Sequence, residues 1–159
     1  MFIFAVEDRG DELALLWTQE MEGRVEASLS RDPRGGLWGW AIPYPSLRRW
    51  DELDGTELDV LDVDDLIGDP ADQHWPSSAV TIAGDASRPV LMVMAKPLAL
   101  GDNHVVALDL AAGRLLWRYD FLVEPSLFTA PQYAIVEGDQ GPVVVFPTYF
   151  NGARGIGLE

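Results

Sequence analysis

The chain has 159 residues, 48% of them apolar, with 26 acids against 11 Lys plus Arg, two His and no Cys, giving a formal net charge of −15 at pH 7. That length fits one domain with a core of its own, and the missing cysteines exclude disulfides, thiolate metal sites and thiol nucleophiles. The acidity speaks against nucleic acid and anionic membrane as partners, because both need basic patches.

The opening MFIFAVEDRG meets Glu7 and Asp8 with no basic stretch ahead of them, so it does not read as a secretory signal. The apolar runs VLMVMA and VVVF are far too short to cross a bilayer as helices. A cytoplasmic protein is expected. An N-terminal strand is predicted over 2–6, and a second ends in Leu15-Leu16-Trp17.

Next come three units that each run from a β-rich segment through a turn into a strand. EASLS from Glu26 leads into RDPRGGLWGW, AVTIA from Ala79 into GDASRPVLMV, and YAIVE from Tyr133 into EGDQGPVVVF. Their strands open at Leu37, Val90 and Val143, two steps of 53 residues, and the acids opening the turns are Asp32, Asp85 and Asp139. A second series follows the first: Arg49-Trp50-Asp51, Ala107-Leu108-Asp109 and Gly157-Leu158-Glu159, with an earlier copy at Ala5-Val6-Glu7. In two of these a Gly stands four residues after the acid, Asp51 to Gly55 and Asp109 to Gly113. There the Asp can bond backbone N–H groups two or three residues on, and the Gly can supply positive φ for a reversal with a bulge. A Trp-bearing strand comes next, LLW ending at Trp117 as at Trp17.

Helix finds little support, since no long window keeps i, i+3, i+4 apolar spacing and 11 Pro with 15 Gly punctuate the chain. The expectation is an all-β protein made of four-stranded antiparallel, propeller-blade-like repeats of about 53 residues, with approximate limits 14–55, 56–113 and 114–159. Ala107-Leu108-Asp109, Gly113 and Leu116-Trp117 resemble the repeat of quinoprotein-type β-propellers, where such a turn precedes a strand ending in Trp. This chain departs from that pattern with Ala112 and Asp54 where the family has Thr. It has no Trp in the copy that carries Leu58 and Val60. The resemblance implies scaffold roles for Asp109 and Gly113 in the turn and for Trp17 and Trp117 between adjacent blades. Three blades do not comfortably close a ring. The chain is therefore expected to pair with itself, with membership of a longer protein and a compact sandwich as alternatives.

The segment Asp51 to Asp72 holds ten acids and no base: Asp51, Glu52, Asp54, Glu57, Asp59, Asp62, Asp64, Asp65, Asp69 and Asp72. One reading is a solvated strand and loop anchored by Leu58, Val60, Leu61, Val63, Leu66 and Ile67. The other is a face for a basic protein, since acids this dense repel one another within a Debye length of ~10 Å at 0.1 M salt. Calcium fits poorly, because the position of the central Gly is Ile67 when counted from Asp62. Tyr44, Arg48, Arg49 and Trp50 add an aromatic and arginine cluster beside the acids, either blade packing or a recognition patch.

His74 and His104 stand apart with no zinc-ligand spacing, no GxSxG elbow is present, and the glycines of GARGIGLE precede no helix. No catalytic residue, cofactor or metal is expected. The leading reading is a non-catalytic protein-binding module of the inhibitor or immunity type that neutralises a basic partner. The alternatives are a quinoprotein-like cofactor-binding fragment and a structural part of a larger repeat assembly.

Overall fold

The computed structural model describes residues 2–20, 24–25, 29–42, 46–68, 74–76, 80–97, 103–121, 134–138, 141–148 and 152–157. Within them the protein is built almost wholly from strands, and every strand pairing is antiparallel. The Asp69, Asp72, Tyr44 and Asp139 positions lie outside the described residues.

The chain begins with a hairpin of β1 (Phe2–Asp8) and β2 (Leu13–Glu20). A second sheet follows, made of β3 (Arg24–Val25), β4 (Ser30–Arg31), β5 (Leu37–Ile42), β6 (Ser46–Trp50) and β7 (Glu57–Asp62), with β3 and β4 both on one edge of β5. After the helical turn α1 (Val63–Ile67) a third sheet repeats the plan with β8 (His74–Pro76), β9 (Thr81–Ala83), β10 (Val90–Pro97), β11 (Asn103–Asp109) and β12 (Arg114–Phe121). The last sheet is the meander β13 (Ala134–Gly138), β14 (Gly141–Thr148) and β15 (Gly152–Gly157).

Alternation of side chains along the strands makes the second and third sheets apolar on both faces. Trp38, Trp40 and Leu47 pack with Leu91, Val93, Ala95, Val106 and Leu108, which joins these two sheets in one core. On its other side the second sheet presents Ala41 and Trp50 to Ile3 of the hairpin. Met92, Met94, Val105 and Ala107, with Trp117 against them, form a separate buried cluster on the far face of the third sheet.

The acid-marked series recurs as one backbone device. The strand pairing slips at Ala5/Val6, at Arg49/Trp50 and at Ala107/Leu108, each time just ahead of Glu7, Asp51 or Asp109. The residue left without a rung on the facing strand is a leucine in all three: Leu16, Leu58 and Leu116. Such bulges sharpen local twist and re-aim the strand. Trp17 and Trp117 then stand opposite Ala5 and Ala107, and Asp59 holds that place opposite Arg49.

The 53-residue series holds by strand and drifts by rung. Leu37, Val90 and Val143 all lie on the strand that pairs on both sides, yet Leu37 faces Trp50, Val90 faces Asp109 and Val143 faces Gly157. Counted from the acid of each unit, these are three different rungs. Before the first two the turn also differs, spanning residues 32–36 in one sheet and 84–89 in the next, so equal spacing in sequence does not put Leu37 and Val90 on the same rung.

The acidic segment contains a helical turn where strand and loop were expected. Asp62 caps α1 by accepting from the N–H groups of Asp64 and Asp65, Val63 and Ile67 are buried one turn apart, and Gly68 ends it at φ 77°.

Candidate functional site

The acids after Trp50 are distributed among local tasks. Asp51 and Asp109 close equivalent turns: each backbone carbonyl accepts from the Gly four residues on, at 3.0 and 2.8 Å. Their carboxylates accept from Leu53 N–H, and from the N–H groups of Ala111 and Ala112. Asp54 accepts from Thr56 N–H at 2.8 Å, and that bond comes first among the causes holding its carboxyl below the usual range.

Three more acids are paired with arginine. Glu52 meets Arg31 at 2.8 Å, Glu57 meets Arg48 at 2.8 Å, and Asp59 lies 3.8 Å from Arg49. Pairs this open to water contribute little stability, but they reduce the free charge on this side of the molecule. Asp64, in the first turn of α1, accepts from both the backbone N–H and Nδ1 of His74. Asp65 lies exposed beside it.

What remains open is an edge. β7 ends the order of its sheet, and it exposes Leu58 and Val60 between Glu57, Asp59 and Asp62. Leu53, the most exposed large apolar residue at 79%, and Asp54 project from the turn that leads into it. The structure therefore gathers apolar and acidic groups along one strand edge and its turn.

The aromatic part of the expected contact set is corrected. Trp50 is 1% exposed and its ring lies over Gly39, so it belongs to the core and presents nothing to a partner. Trp38 and Trp40 are buried as well. Arg49 stacks its guanidinium over Trp38, 5.8 Å from the ring centroid, and among the described residues of the aromatic-arginine set Arg48 and Arg49 keep partial exposure.

Sequence reasoning passed over the network beneath that stack. Asp32, 1% exposed, accepts from Arg34 N–H at 2.8 Å, from Arg34 Nη2 at 2.7 Å and from Trp38 Nε1 at 2.8 Å. Burial pushes its carboxyl up, and the hydrogen bonds from Arg34 and Trp38 outweigh that and hold it below the usual range. Arg34 Nη1 also reaches Leu110 O at 3.0 Å, which ties this turn to the third sheet. A cleft of about 370 Å³ opens beside it, lined by Arg31, Asp32, Pro33, Gly35, Ile82 and Gly84.

The two histidines, far apart in sequence, meet edge to face with ring centroids 5.5 Å apart. Each is backed by a carboxylate: Asp64 on His74 Nδ1 at 2.8 Å, and Asp120 on His104 Nδ1 at 2.7 Å. Burial keeps His104 below the ordinary imidazole value, against the opposing bond from Asp120. Among the described residues no three His, Asp or Glu side chains converge as a metal ion would require, and no helix is long and apolar enough to cross a membrane. No protein-family model matches the chain, and no curated protein is similar to it in sequence.

Proposed function

We propose that this protein is a non-catalytic binding module that engages a basic protein partner along β7 and its leading turn, in the manner of an inhibitor or immunity protein. The observation that carries this reading is the exposure of Leu58, Val60 and Leu53 among Glu57, Asp59, Asp62 and Asp54 at a sheet edge. Apolar contacts supply affinity at such a surface, and the acids steer a cationic partner to it and select its sign. An edge strand also offers unpaired backbone groups to an added strand. The same acids discourage neutral strands from docking there, so the edge is selective rather than sticky.

The scaffold beneath this edge reads as quinoprotein-type propeller repeats. Supporting that reading are the recurrent bulge, the acid-to-glycine turns of Asp51 and Asp109, and the packing of Trp17 onto the next sheet. In this role the repeats are a rigid frame and their turns the working surface.

The test is capture of partners from the source cell, with identification by mass spectrometry, using the native chain and a Leu58→Ser/Val60→Thr/Asp65→Asn variant. None of these three side chains caps a turn or pairs with arginine in the structure, so folding is expected to survive. A basic protein held by the native chain, lost from the variant and weakened steeply by salt, is the expected result. Capture indifferent to both the variant and salt refutes the assignment.

A further inference from the structure

We propose that the outer face of the β1–β2 hairpin is a self-assembly surface that receives a sheet from a second copy of this chain, stacked head to tail. Strand alternation puts Phe2, Phe4 and Val6 of β1 on one face with Leu13 and Leu15 of β2. All five are exposed, Phe4 at 62%, Leu13 at 70% and Leu15 at 63%. An apolar face of this kind, standing contiguous on an otherwise highly charged chain, marks an interaction site.

The fold itself says what covers it. Aligned on the recurrent bulge, Ala5 corresponds to Arg49 and Ala107, and Val6 to Trp50 and Leu108. In the second sheet Trp50 packs back onto the hairpin, beside Ile3. In the third, Leu108 packs back onto Trp38, Trp40 and Leu47 of the second. The Val6 side is thus the face that takes the preceding sheet wherever a preceding sheet exists. On the hairpin the same face is apolar and bare. The matching donor is the opposite face, which the hairpin turns toward the second sheet with Ile3 and the Trp17 indole, and which the second turns toward the third with Trp38 and Trp40.

In the acid-marked series of the sequence Gly157 takes the place of Ala107, so Val143 and Val145, paired with Gly157 and Gly155, lie on the donor side of the last sheet. Both valines are half-buried. A donor face on one end and an acceptor face on the other form a heterologous contact, which closes into a ring when the rotation per copy allows it. A face-to-face pairing of two hairpins would instead join two acceptor faces, an arrangement that occurs nowhere among the described sheets. This surface is separate from the β7 edge, and the proposal does not rest on the binding reading.

Sedimentation of the full chain from about 1 to about 100 µM tests it, because self-association is concentration-dependent. Copies of net charge −15 repel, so association is expected to strengthen between about 0.1 and 0.5 M salt. A basic partner at β7 would respond in the opposite sense. A Phe4→Ser/Leu15→Ser variant is expected to sediment as a monomer with the strand content of the native chain by circular dichroism. A native chain that stays monomeric throughout, or a folded variant that still associates, overturns the proposal.

Should the variant unfold, disulfide trapping decides. The chain has no native cysteine, so a Leu15→Cys chain mixed with a Val145→Cys chain reports the contact directly. A mixed disulfide supports head-to-tail stacking. Only Leu15→Cys pairs with themselves, or no disulfide at all, sinks it.

Discussion

The indole of Trp17 lies so close on Gly55 that a Cβ at position 55 would come 2.6 Å from its ring, while its Nε1 donates to Glu52 O at 3.0 Å. Gly113, at the equivalent place in the Asp109 turn, has open space around it. Both glycines have positive φ, 76° and 61°. Gly113→Ala is therefore expected to cost about 1 to 2 kcal/mol, the price of a left-handed residue with a side chain. Gly55→Ala should cost that plus about 1 to 3 kcal/mol of overpacking against the ring. Urea unfolding of the two variants checks it, and equal losses would show that Trp17 does not bear on the turn.

Asp32 hydrogen-bonds the Arg34 guanidinium and the Trp38 indole, and Arg49 Nη1 lies 3.7 Å from it. Among the described residues, Asp32→Ala leaves Arg34 with only its bond to Leu110 O and removes the acceptor of the buried Trp38 N–H. The expected loss is about 3 to 5 kcal/mol, the usual cost of breaking a buried pair from one side. Because the native carboxyl sits below its unfolded value of 3.8, its contribution is full above about that pH and fades as the pH falls further. Acid unfolding of the native chain should show this fade, and the variant should lack it.

Trp38 and Trp40 are both fully buried, but among the described residues Trp38 Nε1 has an acceptor and Trp40 Nε1 has none. Replacing either by Phe removes similar volume. Trp38→Phe also leaves Asp32 short of a donor, so it should cost about 1 to 3 kcal/mol more than Trp40→Phe. Thermal melts of the pair give the difference, and a reversed order would mean that the network contributes nothing through the indole.

His104 titrates below its ordinary value of 6.5 because burial disfavours the imidazolium. The unfolded chain then takes up the proton first. Stability should be full above about pH 6.5, decline as the pH falls below it, and level off once folded His104 is itself protonated. His104→Gln should flatten that part of the profile. A native profile that is level between pH 7 and pH 5, measured as denaturation midpoint, would contradict the placement of this ring.

The all-β character was legible because β-branched and aromatic runs alternate with Gly, Pro and Asp turns from one end of the chain to the other. The acid-marked series proved the sounder ruler. Its Asp-to-Gly turn is closed by local hydrogen bonds, whereas the equal spacing of Leu37 and Val90 crosses lead-in turns of different length and ends on different rungs. The binding site was half legible. Composition shows where acids concentrate, but whether Glu52, Glu57 or Asp59 is free depends on which arginines the sheet sets across from them. The helical turn had a local signature that a strand reading overrode, an Asp62 cap with a Gly68 stop. The burial of Trp50 and the meeting of His74 with His104 are long-range facts, set by how sheets stack.

The leucine that drops out of register on the outer strand of each hairpin belongs to a device that does not depend on what precedes it. The slip lies on β7 and β12, downstream of the acid, while β5–β6 and β10–β11 pair without one, so the hairpin after Asp51 or Asp109 keeps one form whether the lead-in turn spans residues 32–36 or 84–89. Copies of the unit can thus diverge in length upstream while still delivering the same hairpin to the same place. That leaves the upstream turns free to change shape, and with them whatever they touch.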